Sequence, residues 1–219
     1  MTLLDFARGP AQQWSAIIFT IGMLWRGVAL AVMLRNKTLS ADRFPGTSTA
    51  HGVQTIFNRF KLQPYFARRV GFQYLMGWIW HIGFVITVFF FQVHIAFFRG
   101  LLGFGWPGLP NAVVIAVAAL TTGILLILIV RRYVHPVLRY ISTFDDYAAA
   151  IVTVLPFLTG FLAFTHAPVA PYETLFALHL LSICLLLVWM PFSKLFHVVT
   201  MFPSRYILGV KLWRRGSKA

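Results

Sequence analysis

The chain has 219 residues, of which 59% are hydrophobic and only 11% carry a charge. Uncharged runs of about twenty residues, the length that crosses a hydrocarbon core, exclude a water-soluble globular protein. They also exclude a soluble nucleic-acid-binding module, although the net charge is +14. The single cysteine, Cys184, excludes an intramolecular disulfide and any cluster of cysteine ligands.

The hydrophobic runs predict an all-α, polytopic membrane protein, a bundle of five transmembrane helices forming one membrane domain over residues 1–219. The predicted spans lie near 14–34, 74–98, 111–130, 147–165 and 174–197. Basic residues concentrate in the loop 35–73, around 131–139 and in the tail 198–219, whereas the other loops hold only Arg99 and Glu173. By the positive-inside rule we expect the N-terminus outside and the C-terminus in the cytoplasm, with no cleaved signal peptide.

The first predicted span contains Arg26 in its cytoplasmic third. An arginine at membrane depth needs an anionic partner, and none of the five acidic residues lies inside a predicted span. An anionic group of a bound cofactor is one candidate for that partner. Snorkelling of the long side chain to the interface is the alternative.

The loop 35–73 is basic and aromatic, with a turn at Pro45 and Gly46 and an amphipathic segment before Pro64. Such a surface can dock a protein or lie on anionic lipid, and its sequence does not separate the two.

The second predicted span carries His81 near its cytoplasmic end and His94, thirteen residues later, near its external end. A glycine- and proline-rich loop that could border a lipid-soluble ligand follows Arg99. The third span ends in Arg131 and Arg132, which can pair with an anionic cofactor group or act as simple positive-inside anchors. His166 follows the fourth span on the external side, where it could contact a ligand or only its own loop.

The fifth predicted span carries His179 and His197 eighteen residues apart. In a straight helix that spacing puts both imidazoles on one face, about 27 Å apart, against about 20 Å for the second span. Antiparallel helices would pair His94 with His179 and His81 with His197, so two haems held by two imidazoles each could sit near the two membrane surfaces. Tilt, a kink at Pro191 or local rewinding would absorb the unequal spacing. Interfacial histidines without a metal are the alternative.

Nearly the whole chain resembles the cytochrome b gamma subunit of respiratory nitrate reductase and its relatives in sulfur-cycle membrane complexes. The likeness is strongest in His179 and the run PFSKLFH that ends at His197, and it extends to IGMLWR ending at Arg26, to His81 and to Arg131–Arg132. The opening DFARGP, ending at Pro10, is similar to the branch whose partner is a heterodisulfide-reductase-like Fe–S protein. One position departs from the pattern. The nitrate reductase family has its second histidine ten residues after the first, where this chain has Phe91 and the nearby candidate is His94.

The resemblance implies two non-covalent b haems in a bacterial or archaeal cytoplasmic membrane, with His81, His94, His179 and His197 as iron ligands. It also implies exchange of electrons between menaquinone or ubiquinone and a cytoplasmic Fe–S subunit. Haem propionates would be the anionic partners of Arg26, Arg131 and Arg132.

Few polar groups are predicted near the external haem, and Arg99 and His166 are the quinone-site residues that we expect among them. The competing hypothesis for the whole chain is a haem-free membrane anchor or transporter subunit. No predicted span contains Asp or Glu, the residues that ion-coupled transporters usually embed.

Overall fold

A computed structural model describes residues 2–33, 41–44 and 46–217 of the chain, and these residues form helices without any strand. Pro45 of the predicted turn lies outside the described residues, as do the basic residues Arg35 and Lys37 of the loop 35–73 and Lys218 of the tail. The α-helices, in chain order, are α1 (Leu3–Phe6), α2 (Gln12–Met33), α3 (Thr49–Asn58), α4 (Ala67–Phe89), α5 (Gln92–Leu102), α6 (Asn111–Val134), α7 (Pro136–Ile141), α8 (Phe144–Phe164), α9 (Tyr172–Trp189) and α10 (His197–Arg214).

Within the part of the chain that the structure describes, five helical segments are long and apolar enough to cross a membrane, which confirms the predicted all-α architecture with five spans. They cover Leu3–Val32, Pro64–Phe89, Asn111–Val134, Phe144–Phe164 and Tyr172–Phe192. Many large apolar side chains on these helices are exposed, as expected for helices whose outer faces contact lipid. The chain is therefore a multi-pass membrane protein.

The first span begins at Leu3, not near residue 14 as the hydrophobic pattern predicted. Thr2 caps the helix by a reciprocal pair of hydrogen bonds with Asp5. Pro10 would break a regular α-helix because it lacks an N–H group, and here it lies inside a π-helical turn over Ala7–Ala11. The residues before position 14, which the sequence placed outside the first span, are thus the first part of the spanning helix.

Two other predicted spans are interrupted. The span predicted over 74–98 ends as α4 at Phe89, and α5 starts afresh at Gln92. The last predicted span ends as α9 at Trp189, after which two short 3₁₀ turns, Met190–Phe192 and Lys194–Phe196, lead to α10. His81 and His94, predicted on one span, therefore do not share a straight helix. The same holds for His179 and His197.

The spanning helices pack in the order α4, α6, α8, α9 and α2, each against the next. At the α4–α6 contact a side chain on Gly83 would collide with Thr121, so the two helices approach closely there. Within the described residues α4 and α9 do not pack closely against each other, although both carry a predicted histidine ligand.

The helices α3 and α10 pack together outside the row of spans and form a unit that we call the α3/α10 pair. Gly52 lies under the ring of Tyr206, and Gly209 lies against Thr55. The close contact of α3 with α10 therefore requires glycine at both positions. Because α10 begins at His197, the helix of this unit starts at a predicted haem ligand.

Candidate functional site

His81 of α4 and His197 at the start of α10 face each other with their ring centres 6.2 Å apart and their planes at 83°. We call them the His81 pair. His81 lies on a regular helical turn, whereas His197 comes directly after the 3₁₀ turn Lys194–Phe196. The protein leaves both side chains exposed, so a flat group has access to the space beside them.

The second nitrogen of each imidazole in the His81 pair is held by the backbone. Nδ1 of His81 lies 2.6 Å from the carbonyl oxygen of Gly77, and Nδ1 of His197 lies 2.9 Å from that of Lys194. A carbonyl oxygen only accepts hydrogen bonds, so Nδ1 must carry the proton in both rings. The lone pair is then on Nε2, as required of a metal-binding imidazole oriented by its other nitrogen.

His94 of α5 and His179 of α9 form a second pair, the His94 pair, with ring centres 6.4 Å apart and planes at 13°. Nδ1 of His94 donates to the carbonyl oxygen of Thr87 at 2.9 Å. Nδ1 of His179 lies 3.4 Å from the hydroxyl oxygen of Thr159, whose own proton goes to the Leu155 carbonyl at 2.7 Å. Both rings therefore also present Nε2 to a ligand.

The end of α4 explains how His94 reaches His179. The helix stops at Phe89, and its last carbonyl oxygens, which have no partner inside the helix, are taken by groups from beyond the break. Nδ1–H of His94 donates to the carbonyl oxygen of Thr87. The indole N–H of Trp106 donates to the carbonyl oxygen of Phe89 at 2.6 Å, and the N–H of Leu109 donates to the carbonyl oxygen of Phe90 at 2.9 Å. The break is thus followed by a helix, α5, whose His94 lies opposite His179 of α9.

Both ring separations match one iron held between two imidazoles. With metal–nitrogen bonds of about 2 Å and about 1 Å from each nitrogen to its ring centre, the two centres lie about 6 Å apart. The separations of 6.2 and 6.4 Å agree with that geometry. Elsewhere in the described ranges no group of three or more His, Cys, Asp or Glu side chains is arranged around a common point. Two protein ligands suit a haem iron better than zinc, which usually takes at least three.

His179 is fitted against α8 with no spare room. A side chain on Gly160 would place its first carbon 2.9 Å from Cε1 of His179, so only glycine accommodates the ring in this position. Ser182 lies one turn further along α9, and its hydroxyl oxygen is 3.0 Å from that of Thr159. Thr159, Gly160 and Ser182 were not predicted from the sequence, since small and hydroxylated residues inside apolar runs carry no distinctive spacing.

The three arginines predicted to contact propionates have different surroundings. The guanidinium of Arg26 lies 4.9 Å from the ring centre of Phe196, the residue before His197. Arg131 donates to Gln73 at 2.7 Å. Arg132 donates to Ser142 at 2.8 Å and lies 3.2 Å from a carboxylate oxygen of Asp146.

The predicted quinone-site residues make separate contacts. The Arg99 side chain lies over Gly105 in the loop after α5. His166 has a positive φ of 48° and stacks on Tyr172 at 4.7 Å between ring centres. The stack continues through Phe176 at 5.9 Å to the guanidinium of Arg8, 5.2 Å from the Phe176 ring centre. This stack joins the N-terminal π turn to the beginning of α9, and the sequence did not predict it.

Comparison with known proteins does not assign the chain to a family. A protein of Nitratidesulfovibrio vulgaris (strain Hildenborough), named only "Protein", is 34% identical over 132 residues, which make up 60% of this chain and 58% of that protein. The match thus covers less than two thirds of the relative's length. No family model and no solved structure matches the chain. Its function has to be inferred from the site.

Proposed function

We propose that the chain is the di-haem cytochrome b subunit of a membrane-bound respiratory complex that carries electrons between the quinone pool and a cytoplasmic Fe–S partner. The observation that supports this proposal is the double pairing of histidines from separate helices. Both pairs have the ring separation expected for one iron between two imidazoles, 6.2 and 6.4 Å. One suitable pair could arise by chance in a helical bundle, but two in the same bundle are difficult to explain without a cofactor.

The four histidines would hold two haem b groups through Nε2, and a haem iron with two imidazole ligands supplies one-electron redox chemistry. Attachment would be non-covalent, because the single cysteine, Cys184, is buried in α9 and has no second cysteine for a thioether motif. The backbone carbonyls and Thr159 that hold Nδ1 would fix the rings before the cofactor binds. Such outer partners raise the basicity of a ligating imidazole.

Arg26 is the arginine that we assign to a propionate of the cofactor held by the His81 pair. Its guanidinium lies over Phe196, next to His197. Trp80, whose ring meets His81 edge-on at 4.6 Å, has a buried indole N–H with no acceptor in the described part of the chain. A bound acceptor group would satisfy that donor. Arg131 and Arg132 stay candidates for propionate contacts, although their present hydrogen bonds go to Gln73, Ser142 and Asp146.

The basic loop and the tail would face the cytoplasm and dock the Fe–S partner, which we expect to resemble heterodisulfide reductase. Three acidic residues occur near this end of the bundle, and each contacts a group of its own chain. Asp42 lies 3.9 Å from Arg214, Asp146 pairs with Arg132 and Lys194, and Asp145 accepts the backbone N–H of Lys194. The large excess of lysine and arginine here favours an acidic partner surface.

The quinone would bind near the His94 pair, where Arg99 and His166 are the polar groups that we assign to it. His166 stacks on Tyr172 at the start of α9, the helix that carries His179. A quinone ring needs an apolar, aromatic pocket and a few groups that donate hydrogen bonds to its oxygens. Histidine can also take up or release the proton that accompanies quinone chemistry.

The direct test is the visible spectrum of the purified protein and of single alanine variants. We expect two low-spin b haems in the wild type and the loss of one in His81→Ala and in His197→Ala, with the other spectrally intact. His135→Ala is the matched control, because His135 caps α7 and belongs to neither pair. A haem-free wild type would instead favour a membrane anchor.

The quinone assignment is tested by quinol-driven haem reduction in Arg99→Ala and His166→Ala variants that keep both haems. We expect the rate to fall about tenfold or more, which corresponds to the loss of one charged or well-aligned hydrogen bond. Unchanged rates in both variants would remove these residues from the reaction and direct the search to the opposite end of the bundle.

A further inference from the structure

We infer that Asp145 is a positioning residue for His197, acting through the peptide groups of Lys194. This inference rests on the proposed function, because it concerns the alignment of one proposed iron ligand. A carboxylate oxygen of Asp145 accepts the backbone N–H of Lys194 at 2.8 Å. The carbonyl oxygen of the same Lys194 accepts Nδ1–H of His197 at 2.9 Å. One residue therefore links the start of α8 to the imidazole.

The link is needed because His197 is not held by a continuous spanning helix. After Trp189 the chain passes through a 3₁₀ turn at Met190–Phe192, and Ser193 is extended with φ −121° and ψ −179°. Pro191 cannot donate a helical hydrogen bond, so α9 cannot fix the orientation of the residues beyond that turn. The Ser193 hydroxyl caps the Lys194–Phe196 turn by accepting the Leu195 N–H at 3.2 Å. Contacts from outside α9 add the restraint that this local cap does not give, namely how the turn is oriented against the rest of the bundle.

The start of α8 supplies those contacts and is itself rigid. Thr143 and Asp146 form a capping box, in which the Thr143 N–H and hydroxyl lie 2.9 and 3.0 Å from one Asp146 carboxylate oxygen. That oxygen is also 2.5 Å from Nζ of Lys194, and the other is 3.2 Å from Arg132. The side chain of Lys194 is thus held by one aspartate and its backbone by the other.

The two aspartates have different roles. Asp146 accepts the N–H and the hydroxyl of the N-cap residue Thr143 and would be expected there in any well-capped helix. Asp145 takes no part in that box, and its hydrogen bond reaches a residue 49 positions away. A purely local role in starting α8 does not explain this contact. The contact explains instead why the turn before His197 has one orientation.

The chemical consequence concerns the plane and the donor strength of the imidazole. The Nδ1–H bond to the Lys194 carbonyl determines the direction in which Nε2 points and increases the electron density that it can donate. If the carbonyl group of Lys194 rotates, the direction of Nε2 and its electron density change together. The iron held by the His81 pair would respond, while the iron held by the His94 pair would not.

Three variants separate anchoring from charge. Asp145→Ala removes the acceptor, whereas Asp145→Asn removes the charge but keeps an oxygen that can accept the Lys194 N–H. Asp42→Ala is the matched control, since it removes a carboxylate that contacts Arg214, remote in sequence from the turn. Each variant is purified as the full chain with its cofactor.

The first readout is hydrogen exchange of the amides in 193–197, which does not depend on haem. We expect exchange about tenfold faster in Asp145→Ala, from the loss of a charge-assisted hydrogen bond, and within about twofold of the wild type in Asp145→Asn. Equal exchange in Asp145→Ala and the wild type would overturn the anchor whether or not haem is bound.

The second readout is the low-spin electron paramagnetic resonance spectrum. We expect the signal of the His81 pair to shift or broaden in Asp145→Ala, to stay close to the wild type in Asp145→Asn and to be unchanged in Asp42→Ala. Equal shifts in Asp145→Ala and Asp145→Asn would show an effect of charge and overturn the positioning role. Faster amide exchange in Asp145→Ala with an unchanged resonance signal of the His81 pair would overturn it as well. A wild type without haem would reject the proposed function instead, and the exchange data would still decide whether the anchor exists.

Discussion

The two histidine pairs are built on the same plan but are held by different forces. In each, one histidine lies on a regular helix, His81 on α4 and His179 on α9, and the other comes after a helix end. The His94 pair is half-buried, and its His179 ring is fixed by packing against Gly160 and by the Thr159 hydroxyl. The His81 pair is exposed, and its irregular member comes after a turn held by carboxylates.

The comparison teaches that helix ends, and not the residue spacing, bring the paired histidines together. The free carbonyl oxygens that remain where a helix stops are good acceptors for an imidazole N–H. His94 donates to the carbonyl oxygen of Thr87, and His197 donates to the carbonyl oxygen of Lys194 in the turn after α9. Spacings of thirteen and eighteen residues, which do not match along straight helices, therefore give nearly equal ring separations.

The largest effect that we expect comes from moving a ligand across the break after α4. The double variant Phe91→His/His94→Phe restores the ten-residue spacing of the nitrate reductase pattern. We expect it to lose one haem completely, as we also expect of His94→Phe alone, because Phe91 lies in the extended link and its ring packs on Phe164 at 5.0 Å. Haem content per chain is the measurement.

Recovery of the second haem in the double variant, but not in the single one, would contradict the role of the break. It would mean that residue spacing determines the ligand and that α4 can continue through Phe91 when a histidine is placed there.

A second variant tests the importance of packing for the His94 pair. In Gly160→Ala the new methyl group would collide with the His179 ring, and such overpacking costs about 1–3 kcal/mol. We expect haem affinity at the His94 pair to fall about tenfold to a hundredfold, with the His81 pair unaffected. Gly123→Ala in α6 is the matched control, since a side chain there would meet no other atom within 4 Å. Equal affinity in the two variants would show that His179 is not tightly fitted.

The sequence predicted much of the bundle because hydrophobic length and hydropathy suffice to find membrane spans. It also paired His81 with His197 and His94 with His179, since antiparallel spans align their ends. It failed to predict where the helices stop. The end of α4 depends on Trp106 and Leu109, which cap it from a loop more than fifteen residues further along the chain.

The anchor at Asp145 could not be predicted for a similar physical reason. The sequence around Thr143 and Asp146 has the pattern of a capping box, which indicates where a helix starts but not what else lies there. Only the packing of α8 against the end of α9 brings Lys194 within reach of both aspartates. Hydrogen bonds between segments distant in sequence depend on the fold and leave no periodic signal.

The smallest effect that we expect comes from removing a single hydroxyl group. Thr159→Val deletes the acceptor of the His179 Nδ1–H, a bond of about 1 kcal/mol, so haem affinity at the His94 pair should fall about fivefold. Thr122→Val is the control, because Thr122 makes the same bond to its own helix, 2.7 Å to the Ala118 carbonyl, and no hydrogen bond to a histidine of the described residues. Titration of the haem-free protein with haem measures both, and a loss equal in the two variants would rule out a specific role for Thr159.

The most direct measurement is the haem content of the purified wild-type protein together with its low-temperature paramagnetic resonance spectrum. Two haem b per chain, both low-spin with two imidazole ligands, is the expected result, since each pair has the ring separation for one iron, 6.2 and 6.4 Å. A protein that binds no haem, or one whose haems are high-spin with a single histidine ligand, would contradict the assignment of both pairs.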